Sequence, residues 1–86
     1  VEAGILIALA EWRTLTETRS LQQESVADAQ ALFNGEVRRF ETGESSLLLV
    51  NLRERALIAE RNTLARIEGR LIAAAAAFAQ AVGDAR

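Results

Sequence analysis

The chain has 86 residues, half of them hydrophobic, and its ten basic residues are all Arg against twelve acidic ones, for a formal charge of -2. That length holds one domain, or part of a larger protein, with a modest core, and the balanced charge leaves no basic excess to grip a nucleic-acid backbone. The absence of Cys, His, Lys and Tyr removes the usual metal ligands and nucleophiles, so the composition speaks against an enzyme and predicts neither a cofactor nor a metal.

The opening stretch from Val1 to Ala10 is apolar, but it has no basic start and passes directly into amphipathic sequence, so it reads as the beginning of a helix rather than a signal segment. A chain that starts inside a helix suggests an excerpt of a longer protein. From there Ile5, Trp12, Arg19, Val26, Phe33 and Phe40 fall seven residues apart, with Ala8, Leu15 and Ala29 three residues after members of that series. Apolar residues at this spacing predict a coiled-coil-like helix over about 2–41. Asn34-Gly35 is a strong turn dipeptide in isolation, yet the heptad phase passes from Phe33 to Phe40 without a slip. It is expected to be a weak spot within the helix.

The turn belongs at about 42–46. Gly43 suits a left-handed helix C-terminus, and Ser45 or Ser46 can cap the helix that follows. That second helix, about 47–82, repeats the pattern: Val50, Leu57, Leu64, Leu71 and Phe78 are seven apart, with Ile67 and Ala74 at the offset of three, and Gly83 is expected to close it before Asp84-Ala85-Arg86. The fold class is therefore all-α, an antiparallel two-helix coiled-coil hairpin. Its longest apolar run, Leu71 to Ala79, is far shorter than the ~20 residues of a spanning helix.

At 1.5 Å per residue each helix would be ~55 to 60 Å long and would need lateral support. Opposite charges at helical spacing are few: Arg13–Glu17, Glu36–Arg39 and Arg38–Glu41, with none in the second helix. At ~0.2–0.5 kcal/mol each they cannot hold the hairpin, so burial of the apolar stripes must. The second helix carries more stripe than one partner needs, because Ile58 and Ile72 form a further column, seven apart, with Asn51, Ala65 and Ala79. Adjacent helix positions are about 100° apart, so this column faces a different direction from the first, and one hairpin partner cannot cover both. Either the helix presents a broad face to a four-helix bundle, or it has neighbours on two sides, as in a closed wall of helices.

Asp and Glu are the remaining acid or base candidates, and Glu41 and Glu44 flank the turn. With no His, Lys, Tyr or Cys beside them, they read as solvated turn charges rather than a catalytic pair.

The segment from Phe40 to Glu54 carries the most specific signal, in Phe40, Gly43, Ser46, Leu47, Leu48 and Val50, with Arg55 shortly after it. An aromatic residue, two variable residues, Gly, a short polar stretch and a Leu/Val-rich helix start resemble the hairpin tip of TolC-type outer-membrane efflux proteins. The resemblance extends through the Ala/Leu-rich second helix to Ala81-Val82-Gly83. Leu49 and Leu52 depart from it, since many members are acidic there, and Arg53-Glu54 replace a usual Ala-Gln.

The resemblance implies a fragment of a periplasmic α-barrel: one hairpin of a homotrimeric export channel, a passive exit duct in the periplasmic portion of a bacterial outer-membrane protein. Membrane contact would come only through parent regions absent from this chain. The resemblance also implies a periplasmic adaptor (membrane fusion) protein as partner, with Thr42, Gly43, Glu44 and Ser45 facing it. Leu52, Arg53 and Glu54 become the tunnel-constriction candidates, by an apolar closure or by polar contacts from Arg53 and Glu54. The competing expectation is a self-contained coiled-coil module that dimerises into a four-helix bundle.

Overall fold

The computed structural model describes residues 2–84; Val1, the first residue of the apolar opening stretch, and Ala85 and Arg86, the last two beyond the second helix, lie outside them. Helix α1 runs Glu2–Glu41 and helix α2 runs Leu47–Asp84. The two pack along each other as an antiparallel hairpin measuring 65 × 14 × 12 Å. The long dimension is that of a single helix of about 40 residues at 1.5 Å per residue. The radius of gyration, 19.1 Å, far exceeds the ~12 Å of a compact domain of this length.

Helix α1 continues unbroken through Asn34-Gly35, as the uninterrupted heptad phase requires. The Asn34 side chain is satisfied along the helix, accepting from Gln30 Nε2 at 2.9 Å. Helix α2 extends through Gly83 to Asp84, two residues beyond the sequence-based boundary, a difference within the ordinary softness of helix ends.

Every buried residue lies on the two heptad columns. In α1 these are Ala8, Ala29 and Glu36, all in the column three residues after the leading one; in α2 they are Leu57 and Leu71 from the leading column and Ile67 and Ala74 from the offset column. The leading column of α1 is covered less well: Ile5, Val26 and Phe33 are half-buried, while Trp12 and Phe40 are exposed. Two helices side by side cover a seam from one direction only, and among the described residues no large side chain reaches full burial.

Among the described residues the apolar core is thus small, six residues of which three are alanines. Outside it, Ile58 and Ile72 stand in solvent, Ile72 at 74% of its full exposure. Their column is not covered by α1, in keeping with a helix that has a second face to bury. Among the described residues no helix is long and apolar enough to cross a membrane.

Candidate functional site

The end of α1 is built by a Schellman motif. Glu44 N–H donates to Arg39 C=O at 2.8 Å and Gly43 N–H to Phe40 C=O at 3.0 Å, the nested pair of bonds that satisfies the last carbonyls of a helix. That geometry requires a left-handed residue, and Gly43 has φ +79°, the one positive φ among the described residues. An L-residue with a Cβ pays for this conformation sterically, whereas glycine does not. Thr42 Oγ1 also donates to Arg39 C=O at 3.0 Å, and Arg39 Nη2 donates to Glu44 C=O at 3.4 Å. The chain therefore reverses through a fixed turn.

Of the two serines that could cap α2, Ser46 does so. Its Oγ accepts from Leu49 N–H at 3.3 Å, and its carbonyl accepts the first bond of the helix from Val50 N–H at 3.1 Å. This is the N-cap arrangement that satisfies one of the orphan donors of a helix start. Ser45 is freed for another role: its hydroxyl turns inward and donates to the Glu36 carboxylate.

Glu36 is the unexpected residue of the tip. It keeps only 4% of its exposure although its two neighbouring charges, Arg39 and Arg53, keep 58% and 45% of theirs. One carboxylate oxygen accepts from Arg53 Nε at 3.3 Å; the other accepts from Ser45 Oγ and lies 3.8 Å from Arg39 Nη1. The hydrogen bond from Ser45 holds the carboxyl below its ordinary value of 4.5; burial opposes this, and Arg53 and Arg39 add to the lowering. One carboxylate thus joins the last turns of α1, the connecting turn and the second turn of α2.

The four residues expected to face a partner divide. Thr42, Gly43 and Glu44 are exposed at the tip, while Ser45 is half-buried and directed at Glu36. The three constriction candidates divide too: Leu52 and Glu54 are exposed, and Arg53 reaches back along the seam to Glu36 with its Nε. Around them Leu47, Leu48, Leu49 and Phe40 are exposed, Leu48 at 68%. The tip therefore joins a fixed polar turn to an apolar patch at the start of α2.

Neither the apolar heptads nor the along-helix charge pairs mark the bonds that Glu36 makes across the hairpin. The signal lies in the residues that break the offset column: continuing Ala8, Leu15 and Ala29 by sevens gives Gln22 and Glu36, and continuing Ile67 and Ala74 backwards gives Glu60 and Arg53. These polar seam positions bond across the hairpin in pairs. Glu36 meets Arg53, and Gln22 Nε2 donates to the Glu60 carboxylate at 2.5 Å and to its carbonyl at 3.0 Å. Near them Arg61 Nη2 donates to Gln30 Oε1 at 2.6 Å. Of the three ion pairs expected along α1, the structure forms Glu36–Arg39. Glu36 serves both directions, along the helix and across it.

At the opposite end of the molecule, Leu9, Trp12, Ala75 and Phe78 line an open apolar crevice between the helices. Among the described residues no three acidic side chains converge as a metal site. Compared with known protein families, curated proteins and solved structures, the chain matches none.

Proposed function

We propose that this hairpin is a periplasmic tunnel segment of a TolC-type outer-membrane efflux channel, a passive exit duct whose tip docks a periplasmic adaptor protein. The observation that carries the reading is the tip: an exposed, conformationally fixed Thr42-Gly43-Glu44 turn set beside the exposed leucines that open α2. Its sequence from Phe40 to Glu54 resembles the tips of that family. A glycine without a side chain admits close approach of another backbone, no atom lies within 4 Å of the place a Cβ would take at Gly43, and the Glu44 carboxylate stands ready as an acceptor.

The length and slenderness of the hairpin support the same reading. A two-helix seam with six apolar core residues gives long helices little lateral support, and neighbouring hairpins in a homotrimeric wall would supply it. Ile58 and Ile72, exposed on their own column, fit a wall; they also fit the second reading, a dimeric four-helix bundle acting as an interaction module. The wall is preferred because a simple bundle gives no use to the tip.

Photo-cross-linking tests the proposal. A cross-linking residue at Glu44, with Glu24 midway along α1 as control, is placed in the full-length channel protein produced in cells with its adaptor. The expected result is an adaptor product from Glu44 and none from Glu24. Equal products from both positions, or none from Glu44, overturn the docking tip. Products joining only copies of this chain overturn the docking tip, and they favour the bundle where the product holds two copies rather than three.

A further inference from the structure

We infer that Glu36 is a positioning residue for the tip: its carboxylate clamps Ser45 and Arg53 against the end of α1 and so holds the turn and the start of α2 in one arrangement. The inference goes beyond the docking proposal and does not depend on it, since it concerns how the tip is held whatever meets it.

The geometry carries the argument. Glu36 occupies a seam position where the same column elsewhere places Ala8, Leu15 and Ala29, and an apolar residue there would pack without desolvating a charge. Burying a carboxylate is costly unless it is paired and hydrogen-bonded. Here it has a partner from each of three segments: Arg39 from α1, the Ser45 hydroxyl from the turn and Arg53 from α2. Among the described residues no buried side-chain polar atom lacks a partner. The other charges of the tip, Arg38, Glu41, Glu44, Glu54 and Arg55, are exposed and form no ion pair with it among the described residues.

The partners come from three segments, and the order of the turn depends on that. The Schellman bonds fix Gly43 and Glu44 relative to α1, and the Ser46 cap fixes the start of α2. Neither ties the two helices to each other at this level. Ser45 and Arg53, both held by Glu36, do. A buried carboxylate bonded to half-exposed arginines contributes little net stability compared with an apolar residue at the same place, but each of its bonds constrains where the bonded segment stands.

The direction of the Glu36 pKa decides what kind of device this is. Because the folded carboxyl binds its proton less tightly than the unfolded one, the clamp is complete at neutral pH and in mild acid, and it is lost as pH falls below 4.5. It is a permanent clamp across that range and not a switch responding to mild acidification.

Three measurements on the protein test this. First, carbon-detected NMR titration should show the Glu36 carboxyl protonating below its ordinary value of 4.5, and moving toward that value in Ser45→Ala. Second, hydrogen exchange at the Gly43 and Glu44 amides should quicken about tenfold in Ser45→Ala, on the scale of one lost charge-assisted bond. Third, Glu36→Leu should show the same local quickening while the thermal midpoint of the helices holds or rises, because Leu suits the seam and Arg53 is free to turn to water. In wild type the turn protection should fall with acid below pH 4.5, and this dependence should vanish in Glu36→Leu.

A Glu36 carboxyl that titrates at or above 4.5 overturns the inference. So does unchanged exchange at Gly43 and Glu44 in both variants, or quickening spread evenly along both helices, which marks a merely structural role. If Glu36→Leu fails to fold, the titration and Ser45→Ala still decide.

Discussion

The two ends of the hairpin are held by different chemistry. From Leu57 to Ala74 the buried residues of the seam are apolar, Leu57, Ile67, Leu71 and Ala74, and apart from the half-buried Gln22–Glu60 bonds the helices adhere there through the removal of hydrocarbon from water. At the tip the buried residue is a carboxylate, and the helices are joined by directed bonds to Ser45, Arg53 and Arg39. Apolar adhesion is non-directional and supplies most of the energy; a buried carboxylate bonded to specific partners adds less net energy, but its bonds are directed and short-ranged. The difference implies that the long seam supplies stability while the tip supplies position.

Substitutions in each region can break that division. The largest loss is expected from Leu71→Ala, since truncating a leucine with 5% exposure removes its transfer energy and leaves a cavity. The cost should be ~2–5 kcal/mol, read by denaturant unfolding followed by circular dichroism. A loss as small as that of a surface substitution would mean that the seam is not the source of stability.

Next comes Gly43→Ala. Nothing lies within 4 Å of the added Cβ, so packing adds no penalty and the whole cost is that of holding an L-residue at φ +79°, about 1–2 kcal/mol. Ser46→Ala should follow at about 1 kcal/mol, the loss of one helix cap, and it should leave Ser45 and Glu36 bonded as they are. If Ser46→Ala disturbs the Glu36 titration, cap and clamp are one unit and the division of labour between the two serines fails.

Acidification separates the regions without mutation. The tip should lose its selective protection as pH falls below 4.5, while amides around Leu71 keep theirs until the helices unfold. Hydrogen exchange read residue by residue measures both in one sample, with protection factors correcting for the intrinsic rate. Simultaneous loss at both ends would show a single cooperative unit.

Much of this was legible in the sequence because its physical cause is periodic or local. Two heptad series give two helices; a glycine between them gives the place and handedness of the turn. The assignment of the two serines was not legible, because both Ser45 and Ser46 have the chemistry of a cap and only the three-dimensional path shows which one Glu36 claims. The polar seam pairs were half legible: Gln22, Glu36, Arg53 and Glu60 fall on the offset columns. A reading that follows hydrophobic residues passes over them as interruptions, although at a buried position an interruption has to find a partner. Trp12 and Phe40 show the converse, since they sit on the leading column and remain exposed because two helices cannot enclose the largest side chains.

The smallest effect on the hairpin itself should come from Ile72→Ser, and it tests what lies beyond the comparison of seam and tip. Ile72 is 74% exposed and its column carries no charge from Asn51 to Ala79. Within one hairpin the substitution removes almost no buried surface, so its stability should change by less than about 0.5 kcal/mol. In an assembled wall or bundle the same side chain would lie between helices, and burying an isoleucine stabilises by ~1.5–3 kcal/mol relative to exposure. A column of repeated copies multiplies that loss by the number of interfaces. Sedimentation of wild type and Ile72→Ser, beside their unfolding curves at low and high protein concentration, therefore reads whether the second face has an occupant. An unchanged monomer curve with a lost oligomer assigns the column to assembly; identical behaviour of both proteins at every concentration would leave the seam and tip as the only structured surfaces that matter.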